Sequence, residues 1–242
     1  MASTKKRTDE ALAARFKHLS LGASESAYVE PSLPTGWLSL DACLAGGWPF
    51  GGLVELRGRG RSSLALGAVR QAQAAGVAAA WVDGGGGFCP ATARLALERL
   101  DLLRVPASRS PARSTQALRS ADLLLRARAH ALVVLDMPPG PAPPASFFRL
   151  ERLARRARCA VLLLQDHRRC LAGSASPCLL EVNLQITPRA GIWDLGLDAP
   201  DLKLRLLRHR AASGARGNAE LLLRAEDFEC VPQAAPRTHA GS

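Results

Sequence analysis

The chain has 242 residues, 48% of them hydrophobic, and a formal net charge of +11. That size and apolar content suit one ordinary globular domain with a real core and short appendages. The polar opening MASTKKRTDE does not resemble a signal peptide and no apolar run reaches about 18 residues, so a soluble cytoplasmic protein with no membrane partner is expected.

The positive balance favours a polyanionic partner such as single-stranded DNA. Arginine, alanine, glycine and proline are abundant together, however, as a GC-rich genome would produce. The cysteines, at 43, 89, 159, 170, 178 and 230, form no CxxC pair, so no metal site is expected.

In chain order, residues 9–21 place Leu12, Phe16 and Leu19 at helical spacing, a short amphipathic helix that could pack on its own domain or dock on a neighbour. With the loose stretch after it, this makes an N-terminal unit of residues 1–30, ahead of a core over 31–230 and a disordered tail over 231–242. Residues 35–52 are rich in glycine and turns. LVEL (53–56) reads as a buried strand, SSLALGAVRQAQAAG (62–76) as a helix closed by Gly76, and VAAAWVD (77–83) as a second strand before the break GGGG (84–87).

Helices are predicted over 91–100 and 115–130, a buried parallel strand over 131–136, and a basic helix over 147–158. The segment MPPGPAPPAS (137–146) is expected to be neither helix nor central strand, because proline removes donors and fixes φ. CAVLLLQD (159–166) is another buried strand, followed by the loop HRRCLAGSASP (167–177). Segments 180–189, 201–210 and 218–227 alternate apolar and polar residues and read as antiparallel strands. The fold class is therefore α/β, a mainly parallel sheet flanked by helices with a C-terminal antiparallel extension.

The order LPTGWLSLDACLAGGWPFGGLVEL (33–56), WVDGGGGFCP, TQALRSADLLL, ALVVLD, VLLLQD and DLKLRLLRHR resembles the core of the RecA-type recombinase ATPases. The resemblance implies a phosphate-binding loop at Gly58, Gly60, Arg61, Ser62 and Ser63, a metal-facing aspartate at Asp136 and a phosphate-sensing glutamine at Gln165. ATP with Mg²⁺ is the only cofactor implied. Arg208 and Arg210 match basic residues that reach a neighbouring subunit, or else form a solvated strand face. Two basic stretches, with Arg155 and Arg156 in one and Arg168 and Arg169 in the other, are candidate DNA contacts.

Three departures stand out. The loop has three fewer residues than the family's phosphate loop, and arginine replaces its lysine, a bulkier planar cation that is not equivalent. Where the family has a glutamate that activates water, this chain has Gly84 to Gly87, and loss of a general base costs about 10²–10⁴-fold in rate. The segments corresponding to the DNA-gripping loops look short. These departures imply a chain that is not an enzyme and has no catalytic residue.

Within the recombinase-like proteins the pattern is most similar to the ImuA-type accessory proteins of SOS mutagenesis. That implies a role in translesion synthesis through contact with the recombinase RecA, an ImuB-like polymerase subunit and an error-prone replicative polymerase. The alternatives are a DNA-dependent ATPase, a DNA-binding repair protein and a SulA-like division inhibitor.

Overall fold

The computed structural model describes residues 31–88, 100–106, 112–138, 144–165, 178–185, 201–209 and 219–223. Ten strands are described: β1 (Ser32–Leu33), β2 (Trp48–Pro49), β3 (Leu53–Arg57), β4 (Ala79–Asp83), β5 (Leu100–Arg104), β6 (Leu132–Asp136), β7 (Ala160–Gln165), β8 (Cys178–Gln185), β9 (Asp201–His209) and β10 (Ala219–Leu223). Four helices accompany them: α1 (Leu38–Cys43), α2 (Arg61–Ala74), α3 (Ala112–Ala127) and α4 (Pro144–Ala157).

Eight strands form one sheet in the order β10-β9-β8-β3-β7-β6-β4-β5, and β1 with β2 makes a separate small ladder. From β8 to β5 every pairing is parallel; β8–β9 and β9–β10 are antiparallel. The chain is thus α/β with a largely parallel sheet and extra antiparallel strands near its C-terminal end. One sequence expectation changes: segment 178–185 is the last parallel strand, lying along β3 as well as against β9. Its alternating pattern reports a strand but not its neighbour's direction.

The strands β3, β4, β6 and β7 are buried on both faces, which explains their unbroken apolar runs. Alternate residues divide the core. Val54, Leu56, Trp81 and Val134 pack with Leu64 and Ala68 of α2, while Leu53, Val133, Leu135 and Leu163 pack with Ala121 of α3 and Leu150 of α4. Helices therefore cover both faces, with α2 on one and the α3–α4 pair on the other.

Two further expectations are corrected. Leu100 opens the edge strand β5 instead of closing a helix; the rest of the helix expected over 91–100 lies outside the described residues. Helix α4 begins at Pro144, inside the proline-rich segment, because the first helical position needs no N–H donor and suits a φ already fixed near −65°. The helix expected over residues 9–21 is also outside the described residues.

The entry to the core ties two short motifs together. The Thr35 N–H donates to Asp41 Oδ1 at 2.7 Å, and the Trp37 N–H donates to the Thr35 hydroxyl at 3.1 Å. Burial pushes the Asp41 carboxyl above its ordinary value, against the Thr35 hydrogen bonds that lower it.

Candidate nucleotide-binding site

The parallel strands β3, β4, β6 and β7 end together, and the turn from β3 into α2 lies at that end. Gly58 has φ +94°, a left-handed conformation that glycine adopts without steric cost, and it turns the chain sharply after Arg57. Gly60 is the N-cap of α2 and offers no side-chain cap. The first intrahelical bond runs from the Leu64 N–H to the Gly60 carbonyl at 3.0 Å, so the N–H groups of Arg61, Ser62 and Ser63 lie outside the helical ladder. A 14-residue helix adds the positive end of its dipole at the same point.

Arg61 is the first residue of α2. Its Nη1 donates to the Gly58 carbonyl at 2.9 Å, and its buried Nε has no hydrogen-bond partner. Across from it, two aspartates close adjacent strands in register, Asp83 on β4 and Asp136 on β6. Both are buried, Asp83 completely. Asp83 Oδ1 accepts the N–H groups of Gly86 and Gly87 at 2.7 and 3.1 Å, and its Oδ2 lies 3.3 Å from Arg104 Nε. Asp136 has its carboxyl raised from 3.8 to about 6, first by burial and then by the Asp83 charge, against the lowering pull of Arg61 and Arg113.

Gly85 sits hard against that carboxylate. A Cβ there would meet Asp136 Oδ2 at 2.7 Å. Gly85→Ala is therefore expected to displace the Asp136 side chain and to cost about 1–3 kcal/mol of stability, which denaturant unfolding of the two proteins would measure. Unchanged stability would mean that Asp136 has another place to go.

Of the residues singled out by sequence, the fold brings Gly58, Gly60, Arg61, Ser62, Ser63, Asp136 and Gln165 to this end of the sheet. Gln165 is buried beside Arg57 of β3, and its Oε1 has no hydrogen-bond partner. Arg208 falls in β9, its Cα paired with that of Leu179, in the antiparallel part of the sheet. Arg155 and Arg156 lie in α4, on the opposite face from α2. Leu12, Phe16, Leu19, Arg168, Arg169 and Arg210 lie outside the described residues. Among the described residues no cluster of three metal-ligating side chains is present, and no helix is long and apolar enough to cross a membrane.

Sequence reasoning missed Asp83, Arg104 and Arg113. A signal for Asp83 existed, since WVD ends in the same way as LVVLD.

A glycine-turned strand-to-helix loop, a basic residue at the helix start and buried carboxylates on neighbouring strands define the class: a phosphate-loop α/β core. The family follows from comparison. Residues 10–146 match the RecA N-terminal domain, more than half of the chain, and the chain belongs to that family. It is 38% identical over 122 residues to Protein RecA of Leifsonia xyli subsp. xyli, a match covering 49% of this chain and 33% of that protein. It is 40% identical over 108 residues to Protein RecA of Nocardia farcinica, covering 43% and 30%. The chain thus matches about a third of the length of these curated relatives. The crystal structure of the RadB recombinase superposes with a TM-score of 0.58 at 20% identity, over 81% of this chain and 97% of that one, which shows a shared fold.

These findings overturn the expectation that the chain is not an enzyme. The chain matches proteins named RecA over 122 residues and shares its fold with a protein named a recombinase, and nothing among the described residues shows this chain to be degenerate. Residues missing from the loop and from 84–87 are visible in the sequence. That the fold sets Asp83 beside Asp136, and Asp136 within electrostatic reach of Arg61, is not.

Proposed function

We propose that this chain is an ATP-dependent RecA-family core that serves DNA recombination and repair in the cytoplasm. The observation that carries the reading is the in-register Asp83–Asp136 pair, with Asp136 within electrostatic reach of Arg61 at the start of α2. The residues present suit a magnesium–nucleotide complex: a helix start with free N–H directions, a half-buried guanidinium with a buried, unused Nε, and a carboxylate whose burial is costly until a cation joins it.

In this reading the N–H groups of residues 61–63 and the Arg61 guanidinium hold phosphate oxygens. Asp136 and the Ser62 hydroxyl would hold the metal. Asp83 fixes the 84–87 turn through Gly86 and Gly87, which sets the wall beside Asp136. Gln165, the last residue of β7, would sense the terminal phosphate, as the resemblance to the recombinases implies. The Mg²⁺ ion, when bound, would neutralise charge on the transferring phosphoryl group.

The finer reading is an accessory role of the ImuA type in translesion synthesis, beside recombinase RecA, an ImuB-like subunit and an error-prone polymerase. The departure of the loop between Gly58 and Arg61 from the recombinase pattern supports it.

The test is phosphate release from ATP with Mg²⁺, with and without single-stranded DNA. Turnover should fall by about 10²-fold or more in Asp136→Ala. A wild-type chain that neither binds Mg·ATP nor releases phosphate would refute the reading.

A further inference from the structure

Helices α3 and α4 pack side by side on the face of the sheet away from α2. Between them, toward their C-terminal ends, runs a groove of about 310 Å³ lined by Arg126, Arg128, Arg149, Arg152 and Arg156. Since α3 leads into β6 and α4 into β7, this groove lies toward the strand starts, whereas the nucleotide site lies at the strand ends. Local carboxylates do not neutralise it. Asp122 is shared between Arg126 at 2.8 Å and Arg149 at 2.7 Å, and Glu151 is taken by Arg155 at 2.6 Å. Arg128, Arg152 and Arg156 have no carboxylate partner among the described residues.

Two independent features say that the charge is there to be used. The first is backbone conformation. Arg128, just after α3, has φ +54°, in the left-handed region where glycine is the favoured residue and an arginine is strained. A base-composition bias that favours arginine codons favours glycine codons equally, so composition alone does not explain arginine here. The second is Phe148, 55% exposed and one helical turn before Arg152 on the same stripe of α4. An exposed ring beside unpaired guanidinium groups is what a single nucleic-acid strand requires: cationic forks for phosphates and a flat face for a base. An acidic peptide would use the charges but not the ring.

We propose that the α3–α4 groove is a binding site for single-stranded nucleic acid, with Arg128, Arg152 and Arg156 on the phosphates and Phe148 stacking against a base. It operates independently of nucleotide at the loop end. The alternative for these arginines is that they merely complement the negative ends of the two helix dipoles. That role would make their removal destabilising and leave binding untouched.

The experiment is fluorescence anisotropy with the full chain and a labelled oligothymidylate of about 16 nucleotides, titrated across salt without ATP. Arg152→Gln with Arg156→Gln should lower affinity about tenfold or more at low salt. It should also reduce the salt slope by about 1.4, at roughly 0.7 for each phosphate no longer neutralised. Phe148→Ala should weaken binding about tenfold with the slope unchanged. Arg128→Gly should raise the melting temperature by about 2 °C while weakening binding, a pairing of effects that a structural role does not produce. Arg61→Ala, which removes the loop cation, should leave binding in the groove intact, so failure here and failure of the nucleotide reading are separable. Wild-type affinity and slope in the double glutamine variant, or equal competition by a polyglutamate peptide of matched charge, would overturn the proposal, as would no binding at low salt.

Discussion

Glu55→Ala is expected to destabilise the protein by about 3–5 kcal/mol, a large share of a typical domain's stability. Glu55 lies in the middle of β3, 1% exposed, in a strand otherwise apolar up to Arg57. Two residues on, Arg57 lies on the same face and brings Nε and Nη2 to within 2.7 Å of Glu55 Oε1. The guanidinium is 11% exposed, so removing its carboxylate leaves a cation with little water to turn to. The pair itself need not be strongly stabilising, because desolvating two charges offsets most of their attraction. Glu55→Leu with Arg57→Leu should therefore recover much of the stability that Glu55→Ala removes. Urea unfolding of the three proteins is the measurement. An alanine variant within about 0.5 kcal/mol of wild type would show that Arg57 reaches solvent or another acceptor.

That pair lies in the strand that leads directly into the glycine turn at Gly58, and it is only partly visible in the sequence. The strand itself could be read, because LVEL is short, apolar and followed by glycine. So could β4, β6 and β7, whose burial on both faces enforces continuous hydrophobic runs. The edge strand β5 could not. Only Leu100 at its start is buried, and LDLLR continues the helical spacing of the residues before it. An edge strand half in water carries too little pattern to outweigh a helical reading.

The site divides along the same line. Gly58, Gly60 and Arg61 fall within four consecutive residues, so one loop carries its own signature, and Asp136 was found as a strand end. The Asp83–Asp136 pairing depends on β4 and β6 being neighbours across an intervening β5 and α3, which no local pattern encodes. The arginine groove is still less legible. Arg126 and Arg128 belong to one helix and its end, while Arg149, Arg152 and Arg156 belong to another. Only the packing of α3 against α4 makes them a single surface.

Asp136→Asn should raise the stability of the metal-free protein near neutral pH while, on the proposed reading, abolishing Mg·ATP turnover. The carboxyl is buried and titrates at about 6 in the folded chain, against 3.8 ordinarily. Folding therefore binds a proton between these values. The favourable contribution is complete below about pH 3.8 and is lost as pH rises through 6, so wild-type stability falls across that window. The shift of roughly two units corresponds to about 3 kcal/mol at most, and the asparagine variant, having no charge to bury, should not show this fall. Thermal melts in chelator from about pH 4 to 8 would reveal the difference as two curves that diverge with rising pH. Parallel curves would mean that Arg61 and Arg113 hold the carboxylate ionised at all these pH values. On the proposed reading the same substitution removes the carboxylate that would hold Mg²⁺, so the variant that folds best should turn over least. A side chain that costs stability in the empty fold and repays it when a cation arrives is one retained for its chemistry, and a single asparagine tests both halves of that statement at once.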